Sequence, residues 1–118
     1  MSERTLFERI VEGDIPADIV YQDDRLTAFH DIAPQAPVHI LVVPNRAIAT
    51  IHEAQPDDEG LLGHLLMTAG RIARDLGLEA SGYRLVVNNG RDAGQEVFHL
   101  HVHILGGRPL GPIVQPPG

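Results

Sequence analysis

The sequence of 118 residues predicts an α+β fold. Five short segments have the alternating, β-branched character of strands, and two segments carry the capping signals and apolar spacing of helices. The most informative segment is HLHVHIL, at residues 99–105, which alternates histidines with aliphatic residues. Successive side chains of a strand point to opposite faces. This run therefore places three histidines on one face and turns the aliphatic residues towards a core.

The N-terminal part predicts a short helix followed by a strand. Thr5 and Glu8 have the spacing of a capping box, which predicts a helix over Thr5–Glu12. Gly13 ends this helix, because glycine readily adopts the left-handed conformation that often follows a helix. The next apolar run, Ile19–Tyr21, is predicted to be the first strand.

Two more strands are predicted before the middle of the chain. The Asp23–Asp24 pair predicts a turn, and Leu26–His30 alternates sufficiently to form the second strand. The Pro34–Pro37 segment breaks the extended chain, and the third strand is predicted over His39–Val43. Pro44 closes that strand because proline cannot donate a hydrogen bond to a sheet ladder.

A long helix is predicted between Pro56 and Gly77. Proline suits the first turn of a helix, and glycine suits the position just after its end. Apolar residues recur at intervals of three and four, which predicts a face packed on a sheet. They are Leu61, Leu62, Leu65, Leu66, Ala69, Ile72, Ala73 and Leu76. His64 and His52 are interpreted as surface histidines outside any site, because nothing near them in the sequence makes them part of one.

The C-terminal part predicts a fourth strand over Tyr83–Asn88, a loop over residues 89–95 and then the histidine strand. Gly90 and Gly94 predict a phosphate cradle in this loop, because glycines let backbone N–H groups point at an anion. From about Gly106 onwards the chain is rich in glycine and proline, so an irregular tail is expected there.

Composition favours one domain over residues 1–118, with 43% hydrophobic and 21% charged residues. No stretch approaches the roughly 20 apolar residues of a membrane-spanning helix. Met1–Arg9 lacks the apolar core of a signal peptide. We therefore expect a cytoplasmic protein without membrane contact. The formal net charge of −7 argues against general nucleic-acid binding, which needs a basic surface, but not against a small phosphorylated ligand.

The residue types that are missing restrict the chemistry. The chain has no cysteine and no lysine, and its only serines are Ser2 and Ser81. Thiol nucleophiles, Schiff bases and Walker-type phosphate binding are thus excluded, and histidine remains as the nucleophile. Imidazoles that titrate near neutral pH could supply nucleophile, acid and base in one row. A purely structural row and a metal site are the alternatives, and the lack of cysteine counts against structural zinc.

The histidine run resembles the histidine triad (HIT) superfamily, and its surroundings resemble the Hint branch, the nucleoside phosphoramidases. The matching segments are Phe29–Ile32, Pro34–Pro37, Gly94–Phe98, His99–Leu105 and Gly106–Arg108. The resemblance covers nearly the whole chain. It implies a five-stranded antiparallel sheet with two helices per subunit, and a homodimer whose two sheets join into one.

The resemblance also implies roles for the histidines. His101 would be the nucleophile that attacks the α-phosphorus and forms a nucleotidyl-histidine. His103 would contact the phosphate oxygens and help the amine to leave, and His99 would orient His101 through its backbone carbonyl. His39 would be a fourth, outlying histidine of the network. Asp31 would bind the ribose hydroxyls.

Further binding residues follow from the same resemblance. The residues expected to line the base pocket are Phe7, Phe29, Ile32 and Leu41. The residues expected to contact ribose and phosphate are Asn88, Gly94, Gln95 and Val97. One departure from the family is Glu96, where many animal members carry a serine, and we expect its side chain to face away from the phosphate. The ending Gln115–Gly118 resembles animal members whose C-termini reach the neighbouring active site.

The implied activity is that of a purine nucleoside phosphoramidase, which releases AMP and an amine from adenosine 5′-phosphoramidates without a metal or other cofactor. Aminoacyl adenylates present the same α-phosphate and are further expected substrates. Two alternatives stay open. One is the Fhit-like hydrolysis of dinucleoside polyphosphates, which uses the same histidine strand. The other is a nucleotide-sensing module that binds other proteins.

Overall fold

The computed structural model describes residues 4–114, so the tail resemblance at Gln115–Gly118 lies outside the described residues. The helices are α1 (Leu6–Val11) and α2 (Glu59–Asp75). The strands are β1 (Ile19–Gln22), β2 (Leu26–His30), β3 (Val38–Pro44), β4 (Tyr83–Val86) and β5 (Val102–Gly106). Short 3-10 turns occupy Ile51–Glu53, Pro56–Asp58 and Arg91–Ala93. Between residues 4 and 114, no helix has both the length and the apolar character to cross a membrane.

The five strands form one antiparallel sheet in the order β1-β2-β3-β5-β4. The expected α+β fold with two helices and a five-stranded antiparallel sheet is confirmed. Across the central pair, β3 and β5, Leu41 lies opposite His103 and His39 lies opposite Leu105. Residues that face each other across antiparallel strands share a face. His39 and His103 are therefore diagonal neighbours on the same face of the sheet.

The two faces of the sheet are covered by different helices. On one face, the main core packs against the long helix α2. Its strand residues include Ile40 and Val42 of β3 and Val102 and Ile104 of β5. On the other face, Leu41 and Val43 pack in a second cluster with Phe7 and Ile10 of the short helix α1. Alternate residues of β3 thus pack into two separate hydrophobic clusters, one on each face of the sheet.

The helix ends follow the local sequence signals. Thr5 accepts a hydrogen bond from the N–H of Glu8, and the Glu8 carboxylate accepts one from the N–H of Thr5, so the predicted capping box is present. Gly77 has φ of +79°, the left-handed conformation expected after α2. α2 begins at Glu59 and not at Pro56, because Pro56–Asp58 form a tighter 3-10 turn first.

The histidine strand is shorter than the sequence predicts. β5 begins at Val102, because its pairing ends at Val102 on the β3 side and at His103 on the β4 side. His99 and His101 precede the strand, and the Leu100 N–H there donates to the carbonyl of Ile48 at 2.6 Å. The alternation nevertheless holds, since Leu100 and Val102 lie in the core beneath α2. β4 also ends early, at Val86 and not at Asn88.

Candidate active site

A cavity of about 490 Å³ lies on the α1 face of the sheet, beside the histidines. Its lining residues are Phe7, Asp31, Ala33, Gln35, His39, Leu41, Asn88, Gly94, Glu96, Val97, His101 and His103. β3 and β5 supply His39 and His103, and Asp31 follows the end of β2. The sheet thus brings together side chains that are up to 72 positions apart in the sequence (31 to 103).

His101 is held with one particular ring nitrogen unprotonated. Its Nδ1 lies 2.7 Å from the backbone carbonyl oxygen of His99. A carbonyl oxygen only accepts hydrogen bonds, so Nδ1 carries the ring hydrogen and donates it. The edge-on ring of Phe7, with its centroid 5.0 Å away, packs against the same imidazole. Nε2 of His101 is consequently unprotonated, and its lone pair has a fixed direction because the buried ring is held in one orientation.

His99 is fully buried and does not line the cavity. Its Nε2–H donates to the carbonyl of Pro44 at 2.7 Å. Its Nδ1 accepts from the hydroxyl of Thr5 at 2.6 Å. Both ring nitrogens are therefore occupied, and burial lowers the pKa of His99, which favours the neutral ring. The expected contact between the His99 carbonyl and His101 is present.

His39 and His103 form a relay that begins at the backbone of Gln35. The Gln35 N–H donates to Nδ1 of His39 at 3.0 Å, so the ring hydrogen of His39 lies on Nε2. That Nε2–H donates to Nδ1 of His103 at 2.9 Å. The hydrogen of neutral His103 consequently lies on Nε2, where it is available as a donor. Asp31 Oδ2 lies 3.5 Å from Nε2 of His39 and adds a negative charge beside the relay.

Burial lowers the pKa values of these four histidines below the ordinary 6.5. The largest effect lowers the pKa of His103 to about 4, through burial first and then through repulsion by charged His101 and His39. Asp31 partly opposes the shifts at His39, His101 and His103. The expectation that the rings titrate near neutral pH is therefore wrong for His103, because desolvation penalises its charged imidazolium.

A second cavity, of about 370 Å³, adjoins the first and is mostly apolar. The four residues expected to form a base pocket, which are Phe7, Phe29, Ile32 and Leu41, all line it. Asp31 and Val97 line both cavities. One oxygen of Asp31 accepts from the N–H of Ala33 at 2.8 Å, which fixes the carboxylate at this junction.

The loop before the histidines differs from the expected phosphate cradle. The Gly90 N–H donates to the side-chain oxygen of Gln95 at 2.8 Å, and the Gly94 N–H donates to the carbonyl of Arg91 at 3.0 Å. Neither N–H is available to an anion. Gln95 is buried and lies outside both cavities, because its amide also donates to the carbonyls of Ala49 and Val97. Gln95 therefore clamps the loop and does not face a ligand.

The N–H groups of Glu96 and Val97 are better placed to meet an anion. Both residues line both cavities, and within residues 4–114 neither N–H donates to a protein acceptor. Asn88 and Gly94 line the histidine cavity, as expected. The glycine pattern indicated the right loop, but the unpaired N–H groups lie two and three residues after Gly94, because the first turn of the loop uses its own N–H groups.

Two contacts of the site had no recognisable sequence signal. The sequence identified Thr5 only as a helix cap and not as a partner of His99. The contact of Gln35 with His39 is made by its backbone N–H, so the residue type does not predict it. Gly107 allows the segment from Gln35 to Pro37 to approach closely, because a Cβ at position 107 would lie 2.8 Å from the Cβ of Pro37. His64 lies outside the site but is only partly exposed, because Nε2 contacts Asp23 at 2.8 Å.

Asp31, His39 and His103 also satisfy the spacing of a metal site, with one donor atom from each residue within 4.8 Å of the others. A metal at this point would need a lone pair on Nε2 of His39. The Gln35 N–H already occupies Nδ1 of that ring and leaves its hydrogen on Nε2. The local hydrogen bonding therefore favours the imidazole relay over a bound cation.

Comparisons with known proteins agree with this arrangement. The family model described as "HIT domain" matches residues 12–110. A purine nucleoside phosphoramidase of Escherichia coli K12 is 51% identical over 114 residues, with 97% of this chain and 96% of the relative covered. An uncharacterized HIT-like protein of Synechococcus elongatus is 55% identical over the full length of both chains, 118 residues.

Solved structures extend the likeness to the whole fold. The crystal structure of a HIT family hydrolase from Legionella pneumophila has a TM-score of 0.89 at 46% identity, covering 98% of this chain and 100% of the other. A HIT family hydrolase from Clostridium thermocellum has a TM-score of 0.91 at 41% identity, with the same coverage. With its imidazole cavity, its sheet order and these relatives, the chain belongs to the HIT domain family.

Proposed function

We propose that this protein hydrolyses the P–N bond of purine nucleoside 5′-phosphoramidates through a nucleotidyl-histidine at His101. The observation that carries the proposal is the unprotonated Nε2 of His101, held in one orientation by the His99 carbonyl beside a nucleotide-sized cavity. The activity named for the Escherichia coli relative supports the same reaction class.

The two adjoining cavities match the two ends of a nucleoside monophosphate. The apolar cavity lined by Phe7 and Phe29 suits a purine ring, which gains by burying its faces. Asp31, at the junction, suits the ribose hydroxyls, because a carboxylate accepts two hydrogen bonds there and repels the phosphate. The α-phosphate then lies beside His101, where the free N–H groups of Glu96 and Val97 can donate to it.

The first chemical step forms a bond from Nε2 of His101 to phosphorus and breaks the P–N bond. The imidazole of His101 becomes cationic as it is phosphorylated, and its Nδ1–H remains on the His99 carbonyl, which stabilises that charge. Phosphoryl transfer depends mainly on positioning and on donors to the phosphoryl oxygens. Nε2–H of His103 and the loop N–H groups supply those donors.

The departing amine needs a proton, and neutral His103 cannot supply one without first gaining one. The anionic phosphate of the substrate favours the charged form of a nearby imidazole and so raises the pKa of His103 above the low value that burial gives it. The added proton binds Nδ1 of His103, where it replaces the hydrogen bond from His39. Charged His103 gives its Nε2 hydrogen to the amine and is neutral again, with its hydrogen on Nδ1. In the second step Nε2 accepts a proton from the water that attacks phosphorus and releases His101.

We further propose a homodimer that forms through β4. β4 lies at one end of the sheet, so its outer edge has no strand partner within residues 4–114. The adjoining surface of α2 exposes Leu66 and Met67, and its Gly70 lies against Tyr83 of β4. Pairing two β4 edges would join the sheets and cover this apolar surface. Light scattering should give twice the chain mass.

A cytoplasmic location stays a prediction.

The experiment that tests the proposed reaction is AMP release from adenosine 5′-phosphoramidate, measured with and without EDTA. We expect turnover by the wild-type protein to be unaffected by the chelator. The variant His101→Ala should lose it by on the order of 10³-fold or more, because the nucleophile is gone. Cleavage of diadenosine polyphosphates in the absence of phosphoramidate turnover would contradict the proposal and favour the Fhit-like reaction.

A further inference from the structure

The hydroxyl of Thr5 is engaged in two hydrogen bonds of opposite direction. It accepts from the backbone N–H of Glu8 at 2.9 Å, as the cap of α1. It also lies 2.6 Å from Nδ1 of His99, a residue 94 positions away. The carbonyl of Pro44 accepts the hydrogen on Nε2 of His99, so Nδ1 of the neutral ring is an acceptor and the single hydroxyl hydrogen of Thr5 goes to it.

This arrangement fixes His99 at both ends of its ring. Nδ1 accepts from Thr5, and Nε2–H donates to the carbonyl of Pro44 at 2.7 Å, at the end of β3. The ring is thereby clamped between α1 and β3 in one neutral tautomer. The backbone carbonyl of the same residue accepts from Nδ1–H of His101 at 2.7 Å.

We propose that Thr5 is a positioning residue for His101: its hydroxyl clamps His99, and the clamped His99 holds the carbonyl that keeps Nε2 of His101 unprotonated and aimed. The proposal rests on the reaction proposed above. It assigns to the N-terminal helix a part in catalysis without any contact between Thr5 and substrate, since Thr5 does not line either cavity.

Helix capping alone does not require this residue type. Asp and Ser cap helices at least as well as Thr, because the cap only has to accept a hydrogen bond. The contact with Nδ1 of His99 needs a donor, and only a hydroxyl both accepts and donates from one atom. A carboxylate at position 5 would cap α1 but would draw a hydrogen onto Nδ1 of His99.

Three variants separate capping from positioning. Thr5→Ser keeps the cap and the donor, Thr5→Asp keeps only the cap, and Glu8→Ala weakens the cap but keeps the donor. The measurements are kcat, KM and the pH profile of AMP release, the melting temperature, and the tautomers of His99 and His101 by ¹⁵N imidazole NMR.

We expect Thr5→Ser to retain kcat within about twofold and Thr5→Asp to lose about tenfold or more in kcat with little change in KM. NMR should place a hydrogen on Nδ1 of His99 in Thr5→Asp and on Nε2 in the wild type. Glu8→Ala should melt at a lower temperature with kcat within about twofold of wild type.

The inference is overturned if Thr5→Asp keeps both kcat and the His99 tautomer. It is equally overturned if Thr5→Asp and Glu8→Ala lose kcat in proportion to their melting temperatures, since the role would then be structural. Absence of wild-type turnover would contradict the proposed reaction. In that case the His99 tautomer still tests the role of Thr5, because NMR needs no substrate. An unchanged His99 tautomer in Thr5→Asp would refute the positioning role.

Discussion

The two faces of the sheet are built from the same strands but differ in what covers them. α2 has 17 residues and covers a continuous aliphatic core, in which Ile40, Val42 and Ile104 are fully buried. α1 has 6 residues and covers only part of the opposite face. The uncovered part contains the imidazole cavity and the apolar cavity beside it.

This difference separates stability from chemistry at the level of single residues. In β5, Ile104 faces α2 and the neighbouring His103 faces the cavity. An aliphatic side chain stabilises the fold by leaving water. Burial lowers the proton affinity of an imidazole. A buried imidazole also needs hydrogen-bond partners for its ring nitrogens. Adjacent substitutions in one strand should therefore have different consequences.

Of the substitutions that compare the two faces, the largest effect is expected at His103. His103→Ala removes the Nε2–H donor and the proton carrier, and general acid–base groups contribute about 10²- to 10⁴-fold to rates. We expect kcat for AMP release to fall by about 10³-fold, with a melting temperature within a few degrees of wild type. A loss of less than about tenfold would show that the relay from Gln35 does not serve the reaction.

The neighbouring Ile104 should show the opposite pattern. Ile104→Ala leaves a cavity beneath α2, and such changes cost about 2 to 5 kcal/mol of unfolding free energy. Urea unfolding should detect this loss, while kcat per folded molecule stays within about twofold. If the alanine variant does not fold, the same measurements are made on Ile104→Val, which is expected to lose about 1 kcal/mol of unfolding free energy. A large kcat loss in the valine variant would contradict the separation of the two faces.

Acid should destabilise the protein through the histidine face. The unfolded chain binds protons at a His pKa near 6.5, but folded His103 has a pKa of about 4. Between these values the unfolded state holds more protons, so stability falls as pH falls, by about 1 kcal/mol per pH unit for this residue. Asp23, whose pKa is lowered from 3.8, loses its contribution only below about pH 4.

Urea unfolding at pH 7, 6 and 5 measures this slope, and His103→Ala should reduce it. The same reasoning applies to catalysis, because Nε2 of His101 must be neutral and its pKa lies below 6.5. kcat/KM should be retained down to about pH 6.5 and decline only at lower pH, where His101 gains a proton. Stability that rises between pH 7 and 5 would contradict the lowered pKa values.

The smallest effect is expected at Glu96. Its side chain is exposed at the edge of both cavities, so water screens its charge, and the ligand contact assigned to this residue is its backbone N–H. Glu96→Ser should change kcat by less than about twofold. A large gain in turnover would mean that the carboxylate opposes the phosphate and that its orientation differs from our expectation.

The elements of the fold were largely predictable, because capping residues, glycines and hydrophobic periodicity are local. β2 has the predicted limits, Leu26–His30, and the capping box at Thr5 is present. The end of β4 was not predictable, since strand ends depend on where the partner strand stops pairing. The alternation around Leu100 identified the core face correctly even though β5 begins later.

The chemistry of the site was only partly predictable. The histidine run identified which residues meet, but their protonation depends on partners distant in sequence, such as Gln35 for His39 and Thr5 for His99. Burial also lowered the pKa of His103 to about 4, which no local pattern reveals. The glycines predicted a donor loop, but which N–H groups remain unpaired depends on the turn, and here those of Gly90 and Gly94 are used internally.

The most direct test of the account is to trap the covalent intermediate during turnover. Adenosine 5′-phosphoramidate is mixed with the protein, the reaction is quenched in base to preserve phosphohistidine, and peptides are sequenced by mass spectrometry. Our account predicts a nucleoside monophosphate group on His101, absent from His101→Ala. An adduct on another histidine, or turnover that is limited by the second step and still leaves no adduct, would contradict the assignment of His101 as the nucleophile.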